Sequence, residues 1–325
     1  MAEAGHRAEW MAHGPFGMMV HWIPPGPGPE CGPWITDLDK AVHSFDVERF
    51  LRQFGESGAA WLIFTIGQNT GCYASPNRVL DGLAGPGHCS RRDLIMEIAR
   101  GVAAQNKRFI AYLPSEVNAQ SDAIHRAFAW NPKDQSEFQR RYTSFIHAYA
   151  ERFGPLVDGW WFDGCYTWDV FHNSLYDWRL WFSAARAGNP KCAVAFNDGC
   201  FCIGKTTPVT SRQDYLSGEA IRLLNGRILL GDKGDLTNMP EERFVPGTRC
   251  QWHVLTSTDC FWGHNQPGPM EPPQYSDEEL IGFVRACRAV QGAVTLNVGI
   301  YQEGHIAGAT LAQLRRLSAA MSAGG

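Results

Sequence analysis

Short apolar runs alternate with amphipathic stretches along most of this chain. The runs at Gly17–His21, Trp61–Thr65, Phe109–Leu113, Gly159–Asp163, Ala193–Asn197, Gln251–Leu255 and Ala293–Val298 predict strands, with a weaker one at Tyr215–Glu219. Helical patterns lie between and after them, at Val47–Glu56, Arg91–Gln105, Gln135–Phe153, Tyr176–Ala187, Ser276–Val290 and Ala309–Ala320. Gln135–Phe153 places Phe138, Tyr142, Phe145, Ile146 and Tyr149 on one stripe, as a helix lying on a barrel wall would. Ser276-Asp-Glu-Glu is a helix start with acids in its first turn. Such alternation predicts an α/β class protein, a single-domain (β/α)8 TIM-like barrel over residues 1–325, with a doubly wound sheet as the alternative. Thr206–Gly247 is the least regular part and reads as long loops over a site.

Barrel enzymes carry their chemistry at the C-terminal ends of the strands. Here those ends read His21, Thr65 followed by Gln68-Asn69, Ser115-Glu116, Asp163, Asn197-Asp198, Glu219, Trp252-His253 and Asn297. Turns favour Asn, Asp and Ser for their own reasons, but not a ring of His, Asn, Asp and Glu after apolar strands. The most informative run is Asp158-Gly-Trp-Trp-Phe-Asp163-Gly164. Strand alternation puts Trp161 and Asp163 on one face and Trp160 and Phe162 on the other. Gly164 lets the chain turn away and leaves the acid accessible. Taken alone, Asp163 would read more readily as an aspartate capping the next helix.

Composition narrows the partners. The net charge is −4 without a basic block, which argues against nucleic acid. Tryptophan is abundant, at 12 residues, which suits a large core and also sugar binding, because the indole stacks on a pyranose face and donates a hydrogen bond. The 10 cysteines form neither a CxxC pair nor a zinc spacing, so reduced thiols are expected. No basic start with an apolar stretch marks a signal peptide, and the longest apolar runs are too short to cross a bilayer. The expectation is a cytoplasmic protein, or a secreted one if a leader has been removed, with no membrane partner and homo-oligomerisation left open.

Several segments in order carry a resemblance. They are Phe16-Gly-Met-Met-Val-His21-Trp22, Phe45-Asp46 through Gly58-Ala59 with Trp61–Thr65, Arg92-Asp93-Leu94 with Phe109-Ile-Ala-Tyr112, Trp161-Phe162-Asp163-Gly164, Phe196-Asn197-Asp198, Trp262-Gly263 and Leu296-Asn297-Val298-Gly299. Together they resemble the α-L-fucosidase family, glycoside hydrolase family 29, over essentially the whole barrel. Three departures stand out. Gln68-Asn69-Thr70-Gly71-Cys72 replaces the family's His-His-Asp-Gly-Phe, Trp252-His253 stands where Trp-Glu is frequent, and Gly199 replaces an arginine. The family's β-sandwich domain is not expected after this barrel, so the chain looks like a divergent, barrel-only member.

The resemblance implies a retaining exo-glycosidase for α-L-fucosides or a related sugar, with a carbohydrate substrate, no cofactor and no metal. Asp163 falls on the family's nucleophile, and Glu219 is the best candidate for acid/base, with Glu116 and Glu271 as rivals. A retaining pair needs its carboxyls about 5–5.5 Å apart. His21 is expected at a sugar hydroxyl, Gln68 and Asn69 at further hydroxyls, and Asn197 beside Asp163. Trp34, Trp161, Trp252 and Trp262 are candidate substrate contacts, as are Glu116 and His253. Three other readings stay open. One is a retaining enzyme for a different sugar, another a carbohydrate-binding barrel without turnover. The third is a metal-dependent hydrolase using His21, Asp163 and His253, which lacks the usual His-x-His or His-Glu-x-x-His spacing.

Overall fold

A computed structural model describes residues 5–165, 176–199, 207–220, 222–224, 227–230, 235–237 and 240–323. Its strands are β1 (Gly17–Val20), β2 (Trp61–Thr65), β3 (Arg108–Pro114), β4 (Gly159–Asp163), β5 (Ala193–Phe196), β6 (Arg222–Leu224), β7 (Arg227–Leu230), β8 (Asp235–Thr237), β9 (His253–Ser257) and β10 (Ala293–Asn297). Seven of them form one curled parallel sheet in the order β5-β4-β3-β2-β1-β10-β9. Every residue of β1, β2, β4, β5, β9 and β10 is buried, because the sheet is covered on both faces.

Period-2 alternation sorts these side chains into two layers. Met19, Trp61, Ile63, Ile110, Tyr112, Trp161 and Ala195 fill the inside of the curl. Met18, Val20, Leu62, Phe64, Ala111, Trp160 and Phe162 point outward and pack under the helices. Close approach within the inner layer is enforced at Gly17, where an added Cβ would sit 1.8 Å from the Trp61 indole nitrogen. The helices start on acid or hydroxyl caps that satisfy their first N–H groups. Asp46 accepts from Arg49, Asp93 from Met96 and Ser276 from Glu279. The helix Ser136–Phe153 buries Phe138, Tyr142, Phe145, Ile146 and Tyr149 against the outer layer, as its apolar stripe predicts.

Among the described residues, the sheet is open rather than a closed ring of eight strands. Its edges are β5 and β9, and the expected strand at Tyr215–Glu219 crosses the gap with only isolated bridges, Tyr215 to Gln251 and Glu219 to Leu255. Asp214 N–H donates to Val194 O on one side, and Leu255 N–H donates to Gly218 O on the other. The irregularity centres on Gly218, whose φ of 64° lies outside the β region. The expected strand Gln251–Leu255 begins two residues later, at His253. The region read as loops contains the small antiparallel sheet β6-β7-β8.

A Cβ on Gly218 would lie 1.8 Å from His253 O, in addition to the positive φ. Gly218→Ala is therefore expected to destabilise the fold by about 2–4 kcal/mol, read as a lower urea midpoint with an unchanged slope. A midpoint equal to wild type would mean that the crossing segment is not locked in this conformation.

Candidate active site

Asp163 ends β4, and its backbone is anchored before its side chain is considered. Its carbonyl accepts Ser115 N–H at 2.5 Å and Ser115 Oγ–H at 2.7 Å. The chain then turns through Gly164 at φ 76°, where a Cβ would press on Glu116 Cγ at 2.9 Å. The Asp163 carboxyl lies at the open end of the inner layer and is 9% exposed. Its Oδ2 accepts from the Tyr112 hydroxyl at 2.5 Å and from Gln68 Nε2 at 2.8 Å. Its Oδ1 accepts from Asn197 Nδ2 at 2.7 Å.

Asn197 follows β5 and connects two acids. Its Oδ1 accepts Gly199 N–H at 3.1 Å, which fixes the amide so that the NH2 end faces the barrel mouth. That Nδ2 donates to Asp163 Oδ1 and also to Glu219 Oε2, each at 2.7 Å. The two carboxyl oxygens are thus no more than twice that distance apart. Glu219 reaches this position from the crossing segment, which Ala220 N–H ties to Leu255 O at 2.8 Å.

His21 closes the other side of the mouth. Its Nδ1 is 2.8 Å from Asn297 Oδ1, while Asn297 Nδ2 donates to Trp262 O at 3.0 Å. An amide oxygen only accepts, so His21 carries its proton on Nδ1 and leaves the Nε2 lone pair for a ligand hydroxyl. Burial pulls the His21 pKa below 6.5, and the Asn297 bond and the nearby charge of Asp163 act in the opposite direction. Trp262 sits at the mouth with its ring centre 5.9 Å from that of His21. Its φ of 62° is a strained value for a non-glycine residue, of the order of 1–3 kcal/mol, and the Asn297 bond holds it.

The remaining sequence candidates separate into groups. Gln68 is in the cluster, and Asn69 is exposed on the loop beyond it. Glu116 is buried behind Gly164, where its carboxylate accepts Asn118 N–H. Trp34 is 40% exposed on the loop after β1, with its indole N–H bonded to Gly26 O. Glu271 lies on an exposed loop, 3.7 Å from His264. Three residues lie too deep for a ligand at the mouth. Trp161 is in the inner core, with ring contacts to Tyr215 and His253. Trp252 belongs to the outer layer beneath Gly292. His253 opens β9 rather than ending a strand, so it sits at the opposite end of the barrel interior from Asp163. Its Nε2 meets Thr295 Oγ at 2.7 Å, and Thr295 Oγ accepts from the Trp61 indole N–H at 2.8 Å. His21, Asp163 and His253 therefore do not converge, and among the described residues no three His, Cys, Asp or Glu side chains gather to hold a metal ion. Sequence reading omitted Tyr112, which strand parity could have found: it shares the inner face with Ile110, one layer below the mouth.

No family model and no curated protein matches the chain. Solved structures do. An endo-fucoidan hydrolase of glycoside hydrolase family 107, MfFcnA4, matches with a TM-score of 0.65 at 15% identity, over 96% of this chain and 53% of its own. This chain thus spans about half the length of that enzyme. A second endo-fucoidan hydrolase of that family matches at 0.67 and 14% identity, over 98% and 94% of the two chains. The α-L-fucosidase AlfC from Lactobacillus casei, solved with α-L-fucose product, matches at 0.63 and 14%, over 98% and 99%. The fold is shared with glycoside hydrolases. No described helix is long and apolar enough to cross a membrane.

Full burial holds the His253 pKa down to about 4, against 6.5 for an ordinary imidazole. Unfolded chains therefore take up a proton here that folded ones refuse. The stability from this residue is complete above about pH 6.5 and is lost as the pH falls toward 4, by about 3 kcal/mol. Urea unfolding across this range should show that slope in the wild type. His253→Asn, which keeps a donor for Leu216 O and Ser217 O, should flatten it. Equal slopes in the two proteins would refute the assignment.

Proposed function

We propose that this chain is a glycosidase for α-L-fucosides or a closely related sugar, related to glycoside hydrolase family 29, and that it works by double displacement. The observation that carries this reading is the single Asn197 amide donating to both Asp163 and Glu219. Both acids thus have one oxygen 2.7 Å from the same nitrogen, which favours the short spacing of a retaining pair over the wider gap that an inverting enzyme leaves for water. The fucose-acting enzymes with the same fold point to the sugar.

In the first step an Asp163 carboxylate oxygen attacks the anomeric carbon. The bond to the leaving oxygen breaks, and the Glu219 proton passes to that oxygen. In the second step water attacks the same carbon. Its proton goes to Glu219, and the bond to Asp163 breaks to return the carboxylate. Tyr112, Gln68 and Asn197 orient the nucleophile through their hydrogen bonds. The bare His21 Nε2 accepts from a sugar hydroxyl, and the Trp262 ring offers an apolar face to the pyranose. Gln68 stands where the resembled family has a histidine. Its amide still donates and accepts, so the sugar's hydroxyl pattern is the property most open to change.

The test is a panel of aryl glycosides in fucose, galactose and arabinose configurations, with a fucose polymer included to sample internal linkages. Asp163→Ala is expected to lower kcat/KM by about a thousandfold or more with an unchanged melting temperature, and near-native activity in that variant would overturn the proposal. Glu219→Ala should slow poor leaving groups more than activated ones and recover turnover with azide. Without either effect, the assignment of the acid/base role to Glu219 falls. Tyr112→Phe should reduce kcat by about tenfold, because it removes one oriented donor from the nucleophile.

A further inference from the structure

The rings beside Asp163 form a file that runs outward to solvent. Tyr112 donates to the carboxylate, and its ring centre is 5.4 Å from that of His21. His21 is 5.9 Å from Trp262, and Trp262 is 5.3 Å from Phe261. Exposure rises along the file, from 0% at Tyr112 and 8% at His21 to 54% at Phe261. Packing accounts for the inner rings, but a phenyl ring that remains more than half in water gains little from burial.

Two further observations set Phe261 apart from a scattered surface hydrophobe. The large exposed apolar side chains among the described residues are Trp34, Leu83 and Phe261, and the loops of Trp34 and Phe261 are joined at this mouth. Gly28 N–H donates to His264 O at 2.7 Å, and Gly268 N–H donates to Pro29 O at 2.9 Å. The backbone that presents Phe261 is also held out of its relaxed state. Trp262, the next residue, sits at φ 62°, and its carbonyl is tied to the same Asn297 amide that orients His21. Strain retained by specific polar bonds at the edge of a site marks a place where side-chain direction is fixed.

We propose that Phe261 is the platform for the leaving group. The ring on the far side of the scissile bond, either a second pyranose or an aryl group, stacks its flat apolar face on Phe261. The sugar to be transferred lies deeper, against His21, Trp262 and Asp163. This assignment rests on the glycosidase reading of the site and adds a specificity to it: glycosides whose leaving group is a ring are preferred over those whose leaving group is too small to reach the rim. The chemistry of recognition is that of an aromatic face against C–H groups or another ring.

The test compares 4-nitrophenyl α-L-fucoside, whose leaving group is a ring, with α-L-fucosyl fluoride, whose leaving group is a single atom. Phe261→Ala should lower the ratio of their kcat/KM values by about tenfold, mainly through KM for the aryl substrate, and Phe261→Trp should restore the ratio. Because Phe261 is exposed, the melting temperature should not move, which separates loss of stacking from loss of fold. A ratio unchanged in Phe261→Ala, in a chain that turns over both substrates, overturns the platform and leaves the glycosidase reading intact. A wild-type chain that turns over neither compound, nor any member of the wider panel, overturns the glycosidase reading and the platform with it.

Discussion

The site depends on one amide group held in one orientation. Asn197 has two N–H bonds to give, and each goes to a different acid. Carboxylates brought this close repel one another when both are ionised, so a neutral donor between them is an effective way to hold both in place. The orientation is set from behind by Gly199 N–H on the amide oxygen. Reversing the amide would place an oxygen lone pair between two acids and lose three hydrogen bonds at once. The geometry of Asp163 and Glu219 is thus a property of β5 and the turn after it as much as of the acids themselves.

The open sheet bears on the same point. Between β5 and β9 a regular strand would fix each residue by ladder hydrogen bonds. Here isolated bridges at Tyr215 and Glu219 do the work, with the left-handed Gly218 between them. Asp163 sits on a strand paired along its length, whereas Glu219 sits on the least regular part of the ring. In the proposed double displacement, the acid that attacks needs a fixed line of approach. In the same proposal, the acid that exchanges protons with a departing group and then with water has to meet two different partners.

Much of this was legible in the sequence because the strands are apolar on both faces. β2 and β4 fall where their apolar runs predict, since nothing in those runs competes with an extended conformation. Asp163 was legible for the same reason, as a lone acid after Trp-Trp-Phe. The misreadings have physical causes. The segment 215–219 looks like a weak strand because Gly218 admits a conformation that no pattern of polarity reveals. His253 looks like a strand-end polar residue, yet its partner Thr295 lies 42 residues away and turns it into a satisfied interior group. Tyr112 is invisible to periodicity because its ring counts as apolar while its hydroxyl is the group that bonds Asp163.

The packed interior of the curl has a kinetic consequence. Trp61, Trp161 and Tyr215 are fully or almost fully buried inside it, and the Trp61 and His253 bonds to Thr295 close the floor beneath them. Nothing the size of a sugar passes through such a plug, so the space around Asp163 is a cul-de-sac. On the proposed function, incoming glycoside, departing aglycone and attacking water would all use the mouth beside Asp163 in turn. The order of traffic through that mouth, rather than bond cleavage alone, would then set how often water or another alcohol is the second molecule to enter.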